Sequence, residues 1–213
     1  MSPPRLALAH TPTPIIRGRL PIGGSDVALY IKRDDITGGP EAGNKIRKLE
    51  YLLADAQARG ADTLVTCGGI QSNHARATAI VGAQLGMKSV LLLRTTGPDL
   101  DPKNAPFSGN VFLDKLVDAT IRLITPAQYR ERSALLAETA EALGREGKRP
   151  YVIPEGGSNG LGAFGYVRCM REVRQQLDLG LAGDGNFDIV FLSLIHISEP
   201  TRLRRISYAV FCL

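Results

Sequence analysis

Cysteine is scarce in this chain and poorly placed for pairing. Cys67, Cys169 and Cys212 show no CxxC spacing and are too few and too scattered for a disulfide framework or a zinc site. A reducing compartment follows, and a cytoplasmic location is expected. Long apolar runs are missing as well. No stretch reaches the length of a membrane span, and Met1-Ser2-Pro3-Pro4-Arg5-Leu6-Ala7-Leu8-Ala9-His10 lacks the apolar core of a signal peptide. No membrane partner is expected. Basic runs are absent too: net charge is +5, yet Lys and Arg are scattered among Asp and Glu, with no aromatic-studded basic strip to grip nucleic acid. Nucleic acid is therefore not the expected partner, and the surplus charge is left to draw small anions toward a cleft. Repeats of solenoid period and low-complexity tracts are also lacking.

What is present suits an ordinary α/β protein. With 213 residues, 44% of them hydrophobic and 22% charged, the chain can bury one large core or two small ones. Residues 11–24, with Thr11-Pro12-Thr13-Pro14 and the Gly23-Gly24 pair, read as a loop-rich approach segment. A short apolar run at 27–32 reads as a strand. From Lys45 to about 58, Leu49, Leu52, Leu53 and Ala56 recur at helical spacing and Gly60 closes the run. A strand at 63–66, a helix to about 85 and a strand at 89–93 make a βαβ unit, which implies a parallel sheet. The pattern repeats with a helix near 110–118, a strand at 120–124, a helix over 126–147, a strand at 150–153, a helix to about 177 and a strand at 187–192.

Two glycine-rich loops fall between a strand and a helix. Gly68-Gly69-Ile70-Gln71-Ser72-Asn73-His74 lets backbone approach a ligand and offers unpaired N–H groups at a helix start, while Ser72 and Asn73 equally fit plain helix caps. Gly156-Gly157-Ser158-Asn159 has the same logic, and on a parallel sheet both loops would lie at carboxyl strand ends, where open α/β sheets bind ligands. Lys45, Arg47 and Lys48 crowd positive charge at a helix N-terminus, which costs a few tenths to about 1 kcal/mol unless an anion or a function compensates. A nucleophilic amine is what carbonyl cofactors require, although the same three residues also fit the basic first turn of an exposed helix. His74 fits a polar surface or a satisfied buried histidine. Cys67 reads as a small apolar residue at a strand end.

The ordered runs Lys32-Arg33-Asp34-Asp35, Gly43-Asn44-Lys45-Ile46-Arg47-Lys48-Leu49-Glu50-Tyr51-Leu52 and Gly69-Ile70-Gln71-Ser72-Asn73-His74-Ala75-Arg76 resemble the D-cysteine desulfhydrase and 1-aminocyclopropane-1-carboxylate deaminase family of pyridoxal phosphate enzymes. Gly109-Asn110-Val111-Phe112-Leu113-Asp114 and Pro154-Glu155-Gly156-Gly157-Ser158-Asn159 extend the resemblance over roughly residues 10–192. It implies the tryptophan synthase β-like architecture (fold type II), with two open parallel-sheet α/β domains and the cofactor between them. Residues 49–157 would form the smaller domain, and 1–48 with 158–192 part of the larger. The resemblance further implies that Lys45 holds pyridoxal phosphate as a Schiff base and moves the substrate Cα proton. Asn73 would bond the ring hydroxyl, with Asn44 beside the lysine also holding the cofactor, while Ser72 would act in catalysis beside Lys45 and, with Gln71 and His74, bind the substrate. His74 resembles the desulfhydrases, since the deaminases more often carry Gln there, so a D-cysteine β-elimination is expected. Alternatives are the cyclopropane deaminase reaction, a related lyase such as a D-serine dehydratase, or a protein that only binds the cofactor. A homodimer is expected of the full-length protein.

The resemblance stops after residue 192. The family continues with a Gly/Ser/Thr-rich loop that holds the cofactor phosphate, whereas here no glycine follows Gly185. Residues 193–213 resemble a non-native tail joined to a truncated enzyme, and the large domain is expected to be incomplete.

Overall fold

The computed structural model describes residues 2–22, 25–95, 97, 99–181 and 187. Its first element corrects the sequence reading. Residues 15–22 are not loop but strand β1 (Ile15–Ile22), paired antiparallel with β2 (Ser25–Lys32) from Ile15 opposite Lys32 to Ile22 opposite Ser25. A Gly-Gly pair between apolar runs is as good a hairpin signal as a loop signal, and here pairing decides. The hairpin stays separate from the main sheet.

Helix α1 (Ile46–Ala58) buries Leu49, Leu52, Leu53 and Ala56 completely, the stripe its spacing predicts. It is followed by β3 (Thr63–Gly69), α2 (Asn73–Gln84), β4 (Lys88–Arg94), α3 (Gly109–Leu116) and β5 (Thr120–Ile124). The expected helix over 126–147 is two helices, α4 (Pro126–Arg130) and α5 (Arg132–Arg145). Thr125 and Gln128 close a reciprocal capping box on α4, and Glu131 leaves helical geometry between them (φ −94°, ψ 24°). Then come β6 (Pro150–Val152) and α6 (Gly160–Asp178). Of the expected strand at 187–192 only residue 187 is described, and residues 193–213 lie outside the described residues.

β3 to β6 form one parallel sheet in the order β5-β4-β3-β6. From β3 the chain builds outward through β4 to β5, then returns to lay β6 on the other side of β3. The order therefore reverses between β3 and β6, and this switch point is where an open parallel sheet leaves a crevice at its carboxyl edge. One apolar cluster joins Leu49, Leu52 and Leu53 of α1 to Leu64, Val81 and Ile153, and a second joins α2 and α3 to β4 and β5.

α1 and α6 cross closely enough that a Cβ on Gly165 would lie 2.4 Å from the carbonyl oxygen of Arg47. A buried charge cluster fastens the hairpin to this crossing. Lys32 Nζ donates to Glu172 Oε1 (2.5 Å), and Arg47 donates to Glu172 Oε2 (3.0 Å) and to both oxygens of Asp34 (2.8 and 2.9 Å). Among the described residues no helix is long and apolar enough to cross a membrane, and no group of His, Cys, Asp and Glu is placed to hold a metal.

Candidate active site

β3 and β6 are neighbours, so the loops that follow them, 68–73 and 153–159, emerge side by side at the switch point. The N-terminus of α1 completes the rim. Between them lies a cavity of about 690 Å³ whose lining includes Lys45, Gln71, Ser72, Asn73, His74 and Gly156. A second cavity, about 490 Å³, lies between the N-terminal segment and α6 and holds none of the expected site residues.

Lys45 is the N-cap of α1, with Nζ 3.3 Å from Asn44 Oδ1. Burial, and then the charge of Lys48, lowers its pKa to about 8. The amine is thus partly neutral near pH 8 and fit to attack a carbonyl carbon. Lys48 donates to Gly156 O (3.1 Å) and Ser158 Oγ (3.0 Å), tying α1 to the second loop. Arg47 plays no comparable part, because its guanidinium is consumed by Asp34 and Glu172. Of the three cations at the helix start, only Lys45 faces the cavity.

Ser72 is the N-cap of α2, its Oγ accepting from Ala75 N (3.2 Å), so the capping reading holds for it. A Cβ on Gly68 would fall 2.4 Å from that hydroxyl, which explains a residue without side chain at 68. Asn73 is not a cap. Its Oδ1 accepts from Asn110 Nδ2 (2.9 Å) and Arg76 Nη1 (3.4 Å). Gln71 reaches the lining, but its carboxamide is spent on the start of α3: Oε1 accepts from Asn110 N (2.7 Å) and Nε2 donates to Ser108 O (3.3 Å). Asn44 is buried behind Lys45 and does not line the cavity.

His74 is only 3% exposed. The Thr66 hydroxyl gives its one proton to Ile153 O (2.8 Å), so at 2.9 Å it must accept from His74 Nε2–H. That leaves Nδ1 as a bare acceptor, with no hydrogen-bond partner among the described residues. Burial, Lys45 and Lys48 hold the pKa down at about 3, so the ring is neutral. Cys67 is no nucleophile, since burial and Glu155 push its thiol up to about 12.

Sequence reasoning assigned nothing to the opposite wall, built by Arg132, Ser133 and Leu136 at the head of α5 together with Glu155. Tyr129 donates to Glu155 Oε1, and Arg132 Nε lies 2.7 Å from Glu155 Oε2. No spacing rule links residues 129–136 to Lys45. Only Glu155, inside a quoted motif, carried a signal.

A cavity at a switch point with a partly neutral lysine and flanking amide and hydroxyl groups fits a carbonyl cofactor. A sequence family described as pyridoxal-phosphate dependent enzyme matches residues 6–195. The chain belongs to this family. Among pyridoxal-phosphate dependent enzymes it is 48% identical, over 81% of its length, to a bifunctional D-cysteine desulfhydrase/1-aminocyclopropane-1-carboxylate deaminase, mitochondrial, of Arabidopsis thaliana, covering 43% of that protein. It is 46% identical over 81% of its length to a D-cysteine desulfhydrase of Serratia proteamaculans, covering 52% of it. The crystal structure of an ACC deaminase homologue is similar at 41% identity and a TM-score of 0.70, over 82% of this chain and 51% of that one. The α/β architecture with a parallel sheet is thus shared with that structure. The chain spans about half the length of the curated relatives it matches.

Proposed function

We propose that this chain carries the lysine-bearing part of a pyridoxal phosphate-dependent lyase acting on a small amino acid, with D-cysteine β-elimination to pyruvate, sulfide and ammonia as the reaction. The observation that carries the reading is Lys45, a buried amine brought to about 8 inside the switch-point cavity. Lys45 would hold the cofactor through Nζ, and Asn73 would donate to its ring oxygen. Bound pyridoxal phosphate supplies an electron sink for the pair left behind when the Cα proton departs. Once the substrate amine has taken its place on the cofactor, Lys45 Nζ would be free to take that proton while neutral, which its depressed pKa permits at ordinary pH. The Ser72 hydroxyl and the backbone around Gln71 would meet a substrate carboxylate. His74 offers only an acceptor, which suits a thiol donor. A relative named for D-cysteine desulfhydration and one named for both activities support this order of substrates.

Cyclopropane deamination, the hydrolytic alternative, is kept because the bifunctional relative carries both names. The two separate by product: sulfide with pyruvate against 2-oxobutyrate without sulfide. A protein that binds the cofactor without turnover yields neither. Borohydride trapping of the cofactor followed by peptide mapping tests the lysine, and label on any lysine other than Lys45 refutes the assignment.

The two-domain division, 49–157 against 1–48 with 158–192, belongs to the same proposal, with its boundary inside the first turn of α1, next to Lys45. So do a homodimer of the full-length protein and a cytoplasmic location, which the buried free thiols Cys67 and Cys169 favour. The non-native origin of residues 193–213 is tested by reading the genomic sequence past the codon for Leu192.

A further inference from the structure

The motif Gly109-Asn110-Val111-Phe112-Leu113-Asp114 has no part in the reading above, yet its second residue touches two of the proposed site residues. Asn110 N donates to Gln71 Oε1 (2.7 Å), and Asn110 Nδ2 donates to Gln71 O (2.8 Å) and to Asn73 Oδ1 (2.9 Å). Asn110 Oδ1 accepts from Arg76 Nη1 (3.1 Å), the same nitrogen that lies 3.4 Å from Asn73 Oδ1. Arg76 Nη2 in turn donates to Ala42 O (2.6 Å), in the segment that leads into Lys45. We infer that Asn110, braced by Arg76, is a positioning residue that fixes the carboxamide of Asn73 with its oxygen toward α3 and its donor nitrogen toward the cavity.

Hydrogen-bond polarity settles both amides. Turning Asn73 over would set its NH₂ against two donors, Asn110 Nδ2 and Arg76 Nη1. Turning Asn110 over would set an NH₂ against Arg76 and an oxygen against Gln71 O. Each amide therefore has one permitted orientation, and each holds the other in it. Glycine at 109 is part of the device. Its φ is +58°, and a Cβ there would sit 2.5 Å from Gln71 Oε1, so any larger residue would push the Gln71 carboxamide off Asn110 N. Asp114, one helical turn beyond Asn110 and 1% exposed, lies near Arg76, and burial, partly offset by the Arg76 charge, raises its carboxyl to about 7.

The clamp itself is half-open to solvent, and hydrogen bonds there contribute little to folding stability. What it supplies is direction. A free asparagine amide would present donor and acceptor to the cavity alternately, whereas this one presents two N–H donors only. That is the polarity an oxygen acceptor needs. The consequence for the ligand rests on the proposed contact between Asn73 and the cofactor ring oxygen, but the clamp does not.

The test is side-chain amide NMR on the ¹⁵N-labelled 213-residue chain, without cofactor, with the Asn73 NH₂ pair identified by its loss in Asn73→Asp. In Asn110→Asp the new carboxylate cannot donate to Asn73 Oδ1. The Asn73 amide should then turn over, and one of its protons should move downfield and titrate with that carboxylate. An unchanged Asn73 pair in an Asn110→Asp chain with the parent backbone spectrum overturns the inference. Should that variant lose its fold, Arg76→Lys breaks the brace from the other side and must free the Asn73 amide, with the same unchanged result counting against it. Titration with pyridoxal 5′-phosphate and with its 3-deoxy analogue separates the clamp from the ligand contact. Asn110→Asp should weaken the first by roughly ten- to a hundredfold and leave the second unaltered. If the amide turns over and neither affinity changes, the ring-oxygen contact is refuted while the clamp stands.

Discussion

The lowered pKa of Lys45 has two causes of different kinds: the buried wall around it and the charge on Lys48. Its pKa is lowered from 10.5 to about 8, so the charged form is disfavoured in the folded chain. Folding costs extra while Lys45 is charged, below pH 8, and that cost is relieved as pH rises from 8 toward 10.5. Amine-selective labelling resolved by peptide should therefore show Lys45 half-reactive near pH 8, while exposed lysines rise only near their ordinary value. Lys48→Met should move that midpoint upward, though not all the way, because burial is the larger cause. A midpoint for Lys45 near 10 would remove the basis of the proposed chemistry. The residue itself was legible from sequence, since a cation at a helix start needs a reason. Which of three cations mattered was not, because only tertiary contact shows Arg47 engaged by Asp34 and Glu172.

Elements built from local periodicity were legible, and those built from pairing were not. The apolar stripe of α1 and the alternation giving β3 to β6 are local signals, so both emerge from spacing alone. β1 escaped because its identity comes from β2 across the hairpin, and the end of α4 escaped because Glu131 breaks a pattern whose composition stays helical. The α1–α6 crossing depends on glycine in a way composition does not announce. Gly165→Ala would drive a methyl group into the Arg47 carbonyl, a backbone atom with little room to move. Overpacking of this kind should cost about 1–3 kcal/mol or more in chemical denaturation, and a variant as stable as the parent would show that the helices can separate freely. The charge cluster at the same crossing gives a second test. Arg47→Met removes the cation paired with buried Asp34 and leaves buried Glu172 its ion pair with Lys32, and should cost about 3–5 kcal/mol at neutral pH. Burial pushes the Glu172 carboxyl up, but hydrogen bonds from Arg47 and Lys32 outweigh it and hold the group down at about 2. Its contribution is therefore complete above pH 4.5 and lost as pH falls from 4.5 toward 2. In Arg47→Met the Glu172 pKa should rise toward 4.5, so less stability should be lost between pH 4.5 and 2 than in the parent.

At the scale of the whole molecule, the lysine side of the cavity is joined to a sequence that supplies no glycine after Gly185, in a chain that spans about half the length of the curated relatives it matches. A phosphate group is held chiefly by clustered backbone N–H groups, which glycine-rich loops and helix N-termini provide. On the proposed reading Lys45, Asn73 and the loop at 156–158 would engage the ring and its aldehyde, while the glycine-rich phosphate loop that the resemblance implies finds no glycine in residues 193–213. Affinity should then come almost entirely from the ring. Pyridoxal and pyridoxal 5′-phosphate should bind the 213-residue chain with dissociation constants within a few-fold of each other, both trapped at Lys45 by borohydride, with D-cysteine turned over weakly or not at all. A chain continued by a glycine-rich loop after residue 192 should favour the phosphorylated form by roughly a hundredfold, the equivalent of one or two charge-assisted hydrogen bonds. A hundredfold preference already present in the 213-residue chain would mean that these residues build a phosphate site of their own, and ready release of sulfide from D-cysteine would mean that they suffice for catalysis.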